Sequence, residues 1–359
     1  MLPKSVASVA QFGWMGVDLF FVLSGYLIGS QLLRSVGRAP GLSIGGFYRS
    51  RAYRILPVYW VVLLLFVVWN ARHVSPGMAP LWQFLTFTEN LFYRHATDHQ
   101  FDHVWSLCVE EHFYLLLPVM VVWLARRPAL WKTATVLGVF VLAGIGLRGY
   151  ELMHDLRHLP PGSEQFLARY YERIYYPTYT RLDGLLAGVT LALVRTRRPV
   201  WWAAMLRHAG WLMAAGCALV GCAAWMSVGT MQTTAGMSGA GTVFGFTVLA
   251  LGLALLVAVG SDAGTLLGRL RVPGARVVAL LAFSLYLTHR EVARVDALLF
   301  VRIMGYRDWR SLLLVGVSSL AVAGVLYLGV ERPFLAVRDR REGRGPESVD
   351  LEALVEPAL

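Results

Sequence analysis

A polytopic, all-α bundle of transmembrane helices is the fold this sequence predicts, on three observations. Charged residues make up 15% of the chain and hydrophobic residues 57%, with a mean hydropathy of +0.55; soluble domains carry roughly 25% charged residues. Apolar runs approaching the roughly 20 residues that a bilayer requires recur nine times. The connections between them alternate between strongly and weakly basic, as multi-pass proteins require.

In chain order the runs lie near 14–34, 54–70, 104–124, 133–150, 181–194, 209–229, 240–260, 276–292 and 311–331. Arg34, Arg38, Arg49, Arg51 and Arg54 fill the first connection, and Arg126, Arg127 and Lys132 the third. Arg195, Arg197, Arg198 and Arg207 fill the fifth, Arg269, Arg271 and Arg276 the seventh, and five more arginines follow the last run. These sites hold 20 of the 33 basic residues, leaving 13 elsewhere. That bias predicts a cytoplasmic C-terminus and a multi-pass protein of the cell (inner) membrane. Nine spans then put Met1 outside, although residues 1–13 carry no leader pattern. One further helix upstream is therefore expected.

The outward connections are 71–103, 151–180, 230–239 and 293–310. Within the first, 80–93 is apolar but too short to cross and is expected at the outer interface, anchored by aromatic rings. Residues 1–335 form the membrane domain, and 336–359, charged and containing Gly345-Pro346, read as a disordered cytoplasmic tail. The formal charge of +11 does not indicate a nucleic-acid partner, because the basic residues are scattered in short clusters between apolar runs. Cys108, Cys217 and Cys222 all fall in apolar segments and form neither a disulfide framework nor a metal-ligand spacing.

The chemistry is expected around the stretch 103–118. Helical spacing puts His103, Leu107, Glu110, Tyr114 and Leu117 on one face, with Glu111 pointing elsewhere. A carboxylate two turns into a span costs roughly 2.5–3.5 kcal/mol on the mildest insertion scale, so Glu110 must face protein or a wet cavity. Gly25 and Gly29 lie four apart in the first span on the face that carries Asp18, and Gly184 and Gly188 repeat the pattern in the fifth. Small residues so spaced allow close helix approach. Arg181 and Asp183 stand at the outer end of that fifth span, where an ion pair with each other or an N-cap is the simplest reading. Arg49, Arg51 and Arg54 satisfy topology, and their forked guanidinium groups also suit the phosphates of a cytoplasmic donor. His289 lies in the outer half of the eighth run. Asp18, Glu110, Asp183 and His289 thus form an outer titratable layer with the arginines opposite, an arrangement that could move a group from an internal donor to an external acceptor.

Six blocks in register resemble the acyltransferase-3 family. They are Gly16-Val-Asp-Leu-Phe-Phe-Val-Leu-Ser-Gly-Tyr-Leu-Ile28, Arg49-Ser-Arg51 with Arg54-Ile-Leu-Pro57, Trp105-Ser-Leu-Cys-Val-Glu-Glu-His-Phe-Tyr114, Arg181-Leu-Asp-Gly184, Ser284-Leu-Tyr-Leu-Thr-His289 and Glu331-Arg-Pro-Phe334. The resemblance implies a ten-span membrane enzyme that transfers an acyl group, mostly acetyl, from acyl-CoA to a hydroxyl. Its acceptor would be a sugar, glycolipid, cell-envelope polymer or small natural product, with membrane lipid as partner and no metal. It implies that Arg49, Arg51 and Arg54 hold the acyl-CoA phosphates, and that Trp105, Ser106, Tyr114, Arg181 and Asp183 support the site. The family's first span carries a basic residue and, about ten positions on, a histidine that acts as base; no residue here matches either. Glu110, His289 and Asp18 are then the candidate catalytic groups, and a covalent route would use Ser24 or Cys108. Cys108, His112 and Arg290 depart from the Ser, Gln and Trp usual at those places. A carrier for a lipid-linked molecule and an inactive assembly partner are the rival readings.

Overall fold

The computed structural model describes residues 12–36, 41–73, 77–126, 130–160, 162–227, 239–297, 299 and 309–342, and the chain folds as helices. In order these are α1 (Met15–Val36), α2 (Ile44–His73), α3 (Leu81–Leu85), α4 (Glu89–Phe92), α5 (Trp105–Arg126), α6 (Leu130–Glu151) and α7 (Glu164–Tyr170). There follow α8 (Asp183–Arg197), α9 (Pro199–Leu206), α10 (Ala209–Ser227), α11 (Gly239–Gly260), α12 (Ala275–Asp296), α13 (Trp309–Leu326) and α14 (Arg332–Arg341).

Among the described residues, seven helical stretches are long and apolar enough to cross a membrane, and they coincide with seven of the nine expected spans. The other two are also helical. The helix α8 has 15 residues, about 22 Å at 1.5 Å per residue, short of the ~30 Å hydrocarbon core. The helix α12 has 22 residues but carries Arg276, Arg290, Glu291 and Arg294. Large apolar side chains such as Leu64, Leu115, Leu116, Leu142 and Trp225 are exposed, the surface a bilayer and not water accepts. This is a multi-pass membrane protein.

The chain divides into two compact units, the larger from segments within Gln11–Leu42 and Pro76–Arg269, the smaller from segments within Ser43–Ser75 and Leu270–Leu359. At the centre of the larger unit α1 crosses α8 through the four glycines singled out above. A Cβ on Gly188 would stand 2.2 Å from the Val22 carbonyl oxygen, and one on Gly25 2.2 Å from that of Leu185. These obstacles are backbone, so neither helix can yield by a rotamer change. Gly188→Leu is therefore expected to destabilise the protein by about 3 kcal/mol or more, at or above the top of the usual overpacking range. Gly146→Ala, whose Cβ meets nothing within 4 Å, should be neutral or slightly stabilising. Thermal unfolding of the two variants in detergent micelles checks this; equal Tm values would refute the backbone-contact account.

The segment 80–93 forms α3 and α4, far too short to span. In the smaller unit α2 carries Pro57 inside the helix. A π-turn, Tyr327–Glu331, joins α13 to α14 and places Glu331, 3% exposed, where Ser284 Oγ of α12 donates to its Oε2 at 2.8 Å. Helix α14 continues through the expected boundary at 335/336 to Arg341, with Arg338 Nε donating to Asp339 Oδ1 at 2.8 Å. Charge alone suggested disorder there, but Pro333 in its first turn starts a helix well. The remainder of the expected tail lies outside the described residues, as do residues 1–11.

Candidate active site

The site is built on α5. A 3-10 turn, Asp102–Val104, leads into it from Phe101, whose φ is +57°. The 3.6-residue period then buries Leu107, Glu110, Tyr114 and Leu117 and leaves Leu115 and Leu116 exposed. Glu110 is 6% exposed. Its Oε1 accepts hydrogen bonds from Ser24 Oγ of α1 and from Tyr114 Oη one turn along α5, and the two hydroxyls also contact each other. A buried carboxylate held by two hydroxyls that can each relay a proton is suited to general acid–base work.

A second layer lies at the N-terminal ends of α1 and α8. Arg181 Nη2 donates to Asp18 Oδ2 at 3.1 Å, both side chains being buried. The Arg181 guanidinium is framed by the rings of Phe246 (3.6 Å to the centroid), Tyr175 (4.9 Å) and Trp105 (5.4 Å), so cation–π attraction offsets part of its desolvation. Trp105 in turn meets Phe21 edge-on at 6.1 Å. Burial pushes the Tyr175 phenol above its ordinary range, against the opposing pull of the Arg181 cation.

Asp183 pairs not with Arg181, as sequence proximity suggested, but with Arg148 near the end of α6. Arg148 Nη1 reaches Asp183 Oδ2 at 2.6 Å and Nη2 reaches Oδ1 at 3.1 Å. It also donates to the Thr180 and Val243 carbonyls at 2.6 and 2.9 Å and to Thr247 Oγ1 at 2.9 Å. Arg181 closes the 3-10 turn Thr178–Thr180 ahead of α8, while Asp183 is the first residue of the helix, so the two side chains meet different neighbours. Arg148 is the principal site residue the sequence reading missed. Its signal was available: a single arginine inside the apolar run 133–150, where a charge demands a partner.

Of the other predicted residues, Ser106 is buried on α5 and Cys108 is a buried free thiol. Arg49, Arg51, Arg54 and His289 belong to the smaller unit. Arg49 and Arg54 are exposed, and Arg51 is half-buried with its guanidinium 6.0 Å from the Phe47 ring centroid. His289 is exposed, its Nδ1 beside the Leu285 and Tyr286 carbonyls at 3.2 and 2.8 Å. The larger unit therefore gathers Asp18, Glu110, Trp105, Tyr114, Arg181 and Asp183. Among the described residues no group of three or more His, Cys, Asp or Glu side chains is placed to hold a metal.

Curated relatives match about half of this chain. YrhL of Bacillus subtilis (strain 168) is 32% identical over 199 residues, covering 52% of this chain and 29% of the relative. The peptidoglycan O-acetyltransferase OatA of Listeria monocytogenes is 29% identical over 200 residues (52% and 30%), and the O-acetyltransferase OatA of Staphylococcus aureus 29% over 196 residues (51% and 30%). The matched stretch is thus under a third of each relative's length. No solved structure matches the chain significantly. The family described as "Acyltransferase domain" matches residues 2–329, nearly the whole length that carries the six blocks, and the chain belongs to this acyltransferase-3 family.

Proposed function

We propose that this protein transfers an acetyl group from acyl-CoA to a hydroxyl of an envelope glycan or other sugar outside the membrane, and that its C-terminus is cytoplasmic. The observation that carries the reading is the buried Glu110 carboxylate bonded to Ser24 and Tyr114. The acceptor oxygen attacks the thioester carbonyl, the C–S bond breaks, and the proton lost by the acceptor reaches the departing thiolate through Glu110. Tyr114 and Ser24 keep the carboxylate oriented and supply hydroxyls to the relay. Asp18, committed to Arg181, holds that cation in place and is a weaker candidate for base than Glu110. His289, an exposed histidine, is the second candidate for base. The names of the OatA relatives support O-acetylation, and the exposed Arg49 and Arg54 with Arg51 support phosphate binding.

Membranes bearing the protein should consume acetyl-CoA only in the presence of a glycan acceptor. Arg49→Ala with Arg51→Ala is expected to raise the KM for acetyl-CoA by about tenfold or more with a smaller change in kcat, as loss of donor binding requires. An unchanged donor KM would remove these arginines from the donor site. Acceptor-dependent acetyl transfer would also exclude the carrier reading.

A further inference from the structure

The loop 77–100 in the larger unit is amphipathic in the reverse sense to a soluble loop. Its apolar side chains Leu81, Trp82, Leu85, Leu91 and Phe92 are exposed, while Gln83, Glu89 and Asn90 are buried. Trp82 and Phe92 pack edge-on at 5.4 Å on the outer side, as an interfacial anchor would. The loop closes at a neck, where the His99 and Gln100 amides both donate to the Gly77 carbonyl at 2.9 and 3.0 Å.

The inner side is rich in acceptors without donors. Glu89 is 1% exposed, and neither carboxylate oxygen has a hydrogen-bond partner; Gln83 Oε1 and Asn90 Oδ1 are likewise buried and unpartnered. The amide orientation of Asn90 is fixed, because its Nδ2 donates to the Tyr176 carbonyl at 3.2 Å and to Thr178 Oγ1 at 2.8 Å, so Oδ1 is truly an acceptor. Burial, and after it the facing carboxylates of Asp102 and Asp98, holds the Glu89 carboxyl well above the usual carboxylate range. An unpaired carboxyl in such a place costs several kcal/mol, and a purely structural role would not need it. Beside it lies a cluster of rings: Tyr93 meets Tyr176 edge-on at 4.3 Å, and His95 stacks on Tyr171 at 5.3 Å. Acceptors that take hydroxyl protons next to aromatic faces that take C–H groups are complementary to a sugar ring.

We propose that the inner face of the 77–100 loop, through Glu89, Asn90 and Gln83, binds the sugar of the acceptor. This rests on the transfer to a sugar hydroxyl proposed above. It assigns acceptor recognition to the outer loop and leaves the proton transfer to Glu110.

The test uses the full chain in lipid nanodiscs and a β-1,4-linked N-acetylglucosamine pentamer as probe. The pentamer should slow amide exchange in 81–93 of the unmodified protein. Glu89→Leu, which removes the unpaired carboxyl without needing new partners, should raise the pentamer Kd by about tenfold or more, and Glu89→Gln by less because one acceptor remains. Absence of pentamer binding, protection confined to other segments, or an unchanged Kd in Glu89→Leu would each overturn the assignment. Exchange on the unmodified protein decides the matter even if the variant does not fold. Acetyl transfer to the pentamer by Glu89→Leu at unaltered KM would remove this site and leave the proposed activity standing. Glu89-dependent binding without any transfer would do the reverse.

Discussion

Replacing Glu110 by Gln is expected to lower acyl transfer by about 10²–10⁴-fold, the range that general acid–base groups supply, while Tm stays close to that of the parent. The amide oxygen of Gln can still accept from Ser24 and Tyr114, so the contacts that join α1 to α5 persist. What is lost is the capacity to take up and return a proton. Tyr114→Phe removes one hydroxyl from the same carboxylate and should cost less. Radiolabelled acetyl transfer measured alongside thermal unfolding separates the two effects. A loss of activity that tracks a fall in Tm, or a Gln variant within threefold of the parent, would make Glu110 a structural residue.

The largest effect on stability is expected at Arg148. Its guanidinium is fully buried and meets both oxygens of Asp183, Thr247 and two backbone carbonyls from neighbouring segments. Arg148→Met leaves the Asp183 carboxylate buried with Thr247 Oγ1, at 2.5 Å, as its remaining side-chain partner. Breaking such a pair costs about 3–5 kcal/mol. Replacing both partners, Arg148→Met with Asp183→Leu, should recover most of that loss, because neither charge is then stranded. Unfolding of the two single variants and the double variant completes the cycle. If the double variant is as unstable as the sum of the singles, the pair contributes through packing and not through charge.

Much of this architecture was legible beforehand, for local reasons. The inward face of α5 follows from the helical period, which buried Leu107, Glu110, Tyr114 and Leu117 as expected. The close approach of α1 and α8 follows from Gly25 and Gly29 matched by Gly184 and Gly188, although the sequence did not say that the two pairs meet each other. That the segment 80–93 forms no spanning helix was also foreseeable, because 14 residues are too few to cross a bilayer. That its polar residues Gln83, Glu89 and Asn90 are buried while Leu81, Trp82 and Phe92 are exposed was not, since only the tertiary contacts decide which side is covered.

By itself the sequence determined that this is a helical membrane protein, where its helices run, and which family its motifs resemble. Hydrophobic length and side-chain period are properties of neighbouring residues and need no tertiary contact. Only the tertiary structure decided that Ser24 serves Glu110, that Asp18 holds Arg181, and that Arg148 neutralises Asp183. Those partners lie 86, 163 and 35 positions apart. Inside a membrane each polar group must find a partner, and helix crossings set which one it meets.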